Sequence, residues 1–454
     1  MDTSKDLQDG TEKMEVNKNF VMTEEEQRVY KTYLRKIDLR VLPIIFILYF
    51  ASALDRSNIG AAMVNGVIET LHLSSTSQAN VYSIFTVCYL VFEAPANMIL
   101  KRWKPRYWFS FIVTCWSAAT ICLVATKTAF LFTFVRALVG TFEAGFTPVS
   151  GMVGGPIAGA LTQREFLGLS KYQRIFFAEG LITLGIGILT FLLMHDYPDT
   201  AKFFTSEERI LVTRRITVDQ GLASKATISR KQTMKAFTDW KIYVFSFIYF
   251  GPNNCLGLLG YFGPTILKSM GYSTTASTYM AGIPYACGIV TMLIVLPFIN
   301  RSKLYKICLV CFPTIIVGSI LTAFLKKPEV RLFGLCLIGA GTCPAVPVGM
   351  TWMSTNAGSV SKRMISTAIF TTIGGLAGFF TPYMFTTKYA PNYLIGHIFN
   401  IVMQCVSLLC VLTLVTYFKK ENARRDAYPE DISHLSMDEQ QALNDKHPEF
   451  RYKL

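Results

Sequence analysis

Windows of about twenty apolar residues recur along nearly the whole chain, and they constrain its fold more than any motif does. The hydrocarbon core of a bilayer takes ~20 such residues per helix. Lipid cannot hydrogen-bond an exposed backbone, so each window must be helical. We read spans at 41–60, 81–100, 107–126, 129–148, 149–161, 175–194, 241–267, 279–299, 304–325, 331–354, 365–386 and 393–417. The predicted fold class is an all-α polytopic membrane protein, with the lipid bilayer as an obligate partner. Composition agrees, since 51% of the 454 residues are hydrophobic and only 16% are charged.

Polar segments divide the chain. They give an N-terminal tail over 1–40, a helical bundle over 41–195, a central loop over 196–240, a second bundle over 241–417 and a C-terminal tail over 418–454. Both tails and the central loop are expected to be cytosolic. The polar opening MDTSKDLQDGTEK does not read as a cleavable signal. The final tail is charged and poor in core-forming residues, which predicts disorder. Within the central loop, Thr205-Ser206-Glu207-Glu208 fits a capping box opening an amphipathic surface helix.

The formal net charge is +14. Its basic residues collect in loops between spans, as the positive-inside rule requires, so nucleic acid is not an expected partner. The 11 cysteines fall almost entirely in apolar windows. Cys308 and Cys311 form a lone CxxC within a span, which suits packing better than a metal or redox site. No nucleophile–base set, phosphate loop or metal cluster stands out. The expectation is neither an enzyme nor a cofactor or metal protein.

Charged groups at membrane depth are the candidate site. Asp55 and Arg56 sit late in the first span and Glu93 in the second. Arg136 and Glu143 lie two helical turns apart in the fourth span, so both face one way. A lipid-facing charge costs at least ~2.5 kcal/mol, so these groups should face a cavity or one another. Asp55 and Glu143 can take up and release a proton, while Arg56 and Arg136 can hold an anion. The alternative is a static interhelical salt bridge. Glu93 suits a gate contact as well as a binding site. In the second half, Asn253 and Asn254 follow Pro252, which frees backbone groups to line a cavity. Trp352 can stack on a planar ligand or sit in an interfacial belt, with Asn356 one turn beyond. Small-residue faces at Gly151, Gly155 and Gly159, and at Gly374 and Gly378, read as close helix contacts.

Several of these stretches resemble the major facilitator superfamily: KIDLRVLP (36–43), LDRSNIG (54–60), FEAPANMILKR (92–102), RALVGTFEAGF (136–146), AEGLITLGIGILTFLLMHDYPDTAKFFTSEER (178–209) and WMSTNAGSVSKR (352–363). More narrowly they resemble the fungal allantoate permease branch of the anion:cation symporters. That resemblance implies two six-helix bundles rocking around a midplane site. It implies proton-linked roles for Asp55 and Glu143, and carboxylate binding and coupling for Arg56 and Arg136. It also implies that Tyr89 and Trp352 line the site. The loop 101–106, with Arg102 and Arg106, keeps the basic character of the superfamily's gating loop without its glycine and aspartate.

One departure is larger. The run from Ala129 to Leu161 is too short for two spans of ~20 residues and too long for one. Family members place a charged loop and a full helix after the EAGF motif. Here Phe146-Thr147-Pro148-Val149 runs straight into SGMVGGPIAGAL. Twelve crossings put most of the 44 Lys and Arg residues on cytosolic segments, whereas eleven split them almost evenly. A tight or re-entrant hairpin broken near Gly145–Pro148 is therefore expected, giving 11–12 crossings with the downstream orientation preserved.

The functional expectation is proton-coupled uptake of a small organic anion, such as a ureide, nicotinate or pantothenate, by a monomer in the plasma membrane. Another cellular membrane, such as the endoplasmic reticulum, is the alternative location. The alternative function is a transport-impaired truncated paralogue or splice form, or a non-transporting nutrient receptor.

Overall fold

The computed structural model describes residues 23–40, 42–100, 103–144, 168–194, 237–299, 303–358, 360–428 and 447–454, with Thr205, Met234 and Asp445. The capping box beyond Thr205, the hairpin break at Gly145–Pro148, Gly151, Gly155, Gly159 and Arg102 lie outside the described residues. Two compact units are distinguished. One holds residues 1–43 and 195–227, the other 44–194 and 228–454. In the first, α1 (Glu24–Arg40) starts at a reciprocal cap. Thr23 Oγ1 accepts from Glu26 N at 3.2 Å and Glu26 Oε2 accepts from Thr23 N at 3.0 Å, meeting two of the amides a helix start leaves free.

Among the described residues of the second unit, the regular elements are all helices. Its first half contains α2 (Leu42–Ala62), α3 (Ser75–Leu100), α4 (Pro105–Cys122), α5 (Ala129–Glu143) and α6 (Lys171–Leu193). The second half contains α7 (Trp240–Gly257), α8 (Gly263–Ser269), α9 (Thr274–Met280), α10 (Ile283–Ile299), α11 (Leu304–Phe324), α12 (Pro328–Thr355), α13 (Val360–Gly375), α14 (Ala377–Met384) and α15 (Leu394–Ala427). Among the described residues, eight helical stretches are long and apolar enough to cross a membrane. Both α2 and α7 run on into π turns, Met63–Val67 and Leu258–Phe262. The end at which α2 and α7 begin is called lower here, and the opposite end upper.

The alignment of α4 with α6 fixes the direction of the chain beyond the shortened run. Gln173, near the start of α6, donates to the carbonyl of Val124 just past α4, at 2.9 Å. At the other end, Arg106 Nε donates to Phe191 O at 2.6 Å, and its guanidinium lies 4.7 Å from the Phe191 ring centre. The two helices are therefore antiparallel. Since α4 runs upward, α6 starts at the upper end, where α5 also starts. The chain enters α6 in the direction that the even-crossing reading requires.

Helix α5 stops at Glu143, and Ala144 leaves the helical region with ψ 116°. Fifteen residues rise only ~22 Å, so this helix ends well inside a ~30 Å core. It lies directly on α3. A methyl on Gly140 would overlap the Phe85 carbonyl, so only glycine permits that backbone approach.

Hydrogen bonds join the two halves near the upper end. Asn65 Nδ2 donates to Thr278 Oγ1 (3.2 Å), Tyr383 OH to Asn80 Oδ1 (2.9 Å) and Ser83 Oγ to Phe379 O (3.0 Å). The Ser75 and Thr387 hydroxyls bond at 3.0 Å. Flat contacts continue this seam, with Gly60 against the Tyr261 carbonyl and Gly378 against Thr86. Gly374 packs on the Tyr249 ring within the second half.

The C-terminal residues correct the expectation of disorder. Helix α15 continues to Ala427, and Asp445 with residues 447–454 packs on the lower end of the second half. The Tyr452 ring stacks on Phe418 with centroids 4.4 Å apart and planes 3° from parallel. Arg425 Nη1 donates to the carbonyls of Asp445 and Phe450 at 3.0 and 2.7 Å. Asp239 and Asp445 together bind Lys241 and Lys362, at 2.5–3.2 Å. Burial alone would push the Asp445 carboxyl up, but the Lys241 and Lys362 ammonium groups hold it below the usual aspartate value. Sequence reading misses this segment because it is short, and its partners lie up to two hundred residues upstream.

Candidate functional site

The site is built where α2, α3 and α5 meet, about 20 Å along α2 from its lower end. Two buried ion pairs cross from α2 to α5. Arg136 Nη1 donates to both Asp55 oxygens, at 2.9 and 3.2 Å, and both side chains are fully buried. Arg56 Nε donates to Glu143 Oε1 at 3.0 Å. Ser52 Oγ donates to that same oxygen at 2.5 Å. The spacing explains the pairing. Asp55 and Ser52 are three residues apart on α2, and Arg136 and Glu143 are seven apart on α5, so each helix presents both members on one face.

Helix α3 supplies an aromatic floor. The Arg136 guanidinium lies 4.7 Å from the centre of the Phe85 ring, and Arg56 lies 5.6 Å from it and 4.9 Å from Tyr89. Phe85 and Tyr89 are themselves stacked at 6.2 Å. Ring faces carry partial negative charge, so they hold the guanidinium planes without consuming their hydrogen-bond donors. The second half contributes Tyr261 from the π turn beyond α7, which interacts electrostatically with both arginines.

Donor capacity remains. Arg56 Nη2, Arg136 Nε and Arg136 Nη2 are buried without hydrogen-bond partners, and so is Glu143 Oε2. Buried polar atoms are nearly always paired, so each such atom calls for water or a ligand. Unspent guanidinium donors match an oxyanion, for which arginine's planar fork is suited. The side chain of Arg56 is 23% exposed while those of Asp55, Arg136 and Glu143 are fully buried, so access to the cluster is through Arg56.

The predicted residues divide as follows. Asp55, Arg56, Tyr89, Arg136 and Glu143 come together. Glu93 is half-buried one turn below Tyr89 on α3. Arg106 fastens α4 to α6 rather than joining the cluster. Asn253 donates to Gly374 O at 2.9 Å. Asn254 is fully buried and bonds Asn400 and Thr381 inside the second half. Trp352 and Asn356 lie at the lower end, under the C-terminal segment. Trp352 Nε1 donates to Lys453 O at 2.8 Å, while its ring packs edge-on against Phe245 and Phe418. Asn356 Oδ1 accepts from Lys453 N at 2.8 Å. Their polar groups are bound within the chain and they stand apart from the arginine cluster. Phe85 and Tyr261 are missed from sequence because each is one apolar-looking residue in an apolar run.

A transmembrane helical bundle with a charged cluster at mid-depth defines a membrane carrier. The model of the Major Facilitator Superfamily matches residues 45–153 and 145–382. The chain belongs to that superfamily and is a multi-pass membrane transporter of small molecules rather than an enzyme. The two matched segments meet at 145–153, where the sequence pattern reads as a join between half-helices.

Among similar proteins, the major facilitator-type transporter hxnP of Emericella nidulans is 24% identical, over 96% of this chain and 94% of its own. The high-affinity nicotinic acid transporter of Saccharomyces cerevisiae is 26% identical over 93% and 84%. A putative tartrate transporter of Agrobacterium vitis is 27% identical over 77% and 84%. A bacterial homologue of the human lysosomal transporter Spinster, solved in an inward-facing, occupied conformation, shares the fold. Its TM-score is 0.62 at 13% identity, covering 84% of this chain and 97% of that one.

Proposed function

We propose that this transporter moves a small organic carboxylate into the cell together with protons, across the plasma membrane. The observation that carries this reading is the Arg56–Arg136 pair, which keeps unpaired donors beside two buried carboxylates at mid-depth. A carboxylate substrate would take the free donors of Arg56 and Arg136. It would then compete with Asp55 and Glu143 for those cations, which links binding to the protonation of the two acids. Relatives named for nicotinic acid and tartrate carry the same charge type. The positive-inside rule assigns the lower end to the cytosol, so the hydrogen-bonded seam between the halves faces outward.

A second reading is that the short α5 impairs transport, since the helix ends at Glu143, well inside the hydrocarbon depth. Uptake of a panel of radiolabelled organic acids in a transport-deficient host tests both. Acid-stimulated uptake of at least one carboxylate is expected. Uptake that arises only after a loop and helix segment is inserted at 145–150 would favour the second reading. No carboxylate uptake in either form would overturn the first.

A further inference from the structure

A third carboxyl group is buried near the two ion pairs, and neither pair uses it. Glu179 lies on α6 with 2% of its surface exposed. Neither of its oxygens has a hydrogen-bond partner. It stands about 12 Å below the upper end of α6, at 1.5 Å per residue from Lys171. Asp55 stands about 10 Å below the upper end of α2, and Arg136 about 10 Å below that of α5, by the same measure. All three groups lie inside the bundle, and Glu179 interacts electrostatically with both Asp55 and Arg136.

The charges acting on Glu179 are Asp55 from α2 and Arg136 and Glu143 from α5, with Asn58 of α2 as its polar neighbour. Asn58 Oδ1 is itself buried and unpaired. The side of α4 packed on this part of α6 offers Ile121, Val113 and Thr114, none of them charged. Arg136 Nη1 is spent on Asp55, while its Nε and Nη2 stay free. Glu179 thus shares the Arg136 cation with another acid, with the Asn58 side chain as its polar neighbour.

We propose that Glu179 is the third proton-exchanging carboxyl of the carrier, a positioning residue that takes a proton when Arg136 is engaged by Asp55 and releases it when Arg136 is freed. This rests on the proton-coupled reading above. The step is a simple transfer: one proton from water joins one Glu179 oxygen on the outward side, and the same O–H breaks to water on the inward side. Substrate bound from the outward side takes the free donors of Arg56 and Arg136 and leaves Glu179 protonated. Its departure on the inward side frees Arg136, which then stabilises the Glu179 anion and drives the release.

The test uses the full chain in proteoliposomes and in purified form. Glu179→Gln keeps the shape and removes the exchangeable proton. It should retain carboxylate counterflow yet lose accumulation driven by an inward acid gradient. Infrared difference spectra between acidic and alkaline buffer should lose one protonated-carboxyl band relative to the parent protein. Glu179→Asp should keep that band at a shifted pH, and it serves as the readout if the Gln variant does not fold. Gradient-driven accumulation by Glu179→Gln equal to the parent would overturn the proposal. So would an unchanged set of carboxyl bands, or a Glu179→Asp band that does not move. If the parent protein transports no carboxylate at all, the coupling reading fails separately. The infrared titration still decides whether Glu179 exchanges a proton.

Discussion

Asp55 receives both of its hydrogen bonds from a single nitrogen of Arg136, which leaves two more guanidinium nitrogens buried and unspent. The pair is therefore joined through one guanidinium nitrogen alone. Breaking it leaves a buried, uncompensated charge, which costs about 3–5 kcal/mol. Asp55→Asn should lower thermal stability in detergent by that amount and abolish gradient-driven uptake. A melting temperature equal to the parent would mean that water already reaches Arg136.

Phe85 lies against both guanidinium groups, so its removal should matter more than a lost core ring. Phe85→Ala should cost about 3–5 kcal/mol in stability. Phe85→Leu restores most of the volume without the ring face. It should therefore recover stability while raising the KM for the transported carboxylate. Equal KM values for Phe85→Leu and the parent would show that the rings do not orient the arginines.

The upper seam can be wedged open. A side chain at Gly60 meets the carbonyls of Tyr261 and Gly260. Gly60→Leu should destabilise the closed arrangement by about 1–3 kcal/mol and leave the outward-open one untouched. A cysteine placed at Asn65 in that background should react faster with a membrane-impermeant thiol reagent than in the parent. An unchanged rate would argue that the halves separate elsewhere.

The C-terminal segment makes a pH-dependent contribution. The folded Asp445 carboxyl is held below its ordinary value of 3.8. A depressed carboxyl contributes stability that is present in full above that value and is lost as pH falls through the lower folded one. Protease cleavage between 428 and 445 followed by washing should thus release residues 445–454 more readily in strong acid than at neutral pH. Asp445→Asn should remove the difference.

A fifth position tests the same segment without titration. Tyr452 is 4% exposed and stacked on Phe418. Tyr452→Ala should cost about 3–5 kcal/mol and increase quenching of Trp352 fluorescence by iodide. Quenching like the parent's would mean that the segment stays docked through Lys453 alone.

The helices were legible because the bilayer imposes a single length and a single polarity on each of them. The two-turn spacing of Arg136 and Glu143 was equally readable, since helix period alone decides their common face. The direction of the chain through the shortened run also followed from charge, and the antiparallel fit of α4 and α6 agrees with it. Trp352 and Asn356 stand apart from the arginine cluster for a definite reason. Their partners are the backbone groups of Lys453, about a hundred residues later in a polar stretch with no periodic pattern. Phe85 and Tyr261 were hidden because an aromatic that carries a cation looks, in sequence, like any other aromatic in a span. Glu179 stood in a quoted motif, but nothing in its spacing ties α6 to α2.

The docking of residues 445–454 makes the two halves mechanically unequal. Through Lys241, Leu304, Trp352, Lys362 and Asn422, that short segment touches the lower ends of α7, α11, α12, α13 and α15 together. Five helices laced by one strand turn as one body. The first half has no comparable tie among its described residues, and its α5 stops partway down. An alternating motion built on such a pair is a lever with one stiff arm, and most of the bending falls on the half that holds the charges.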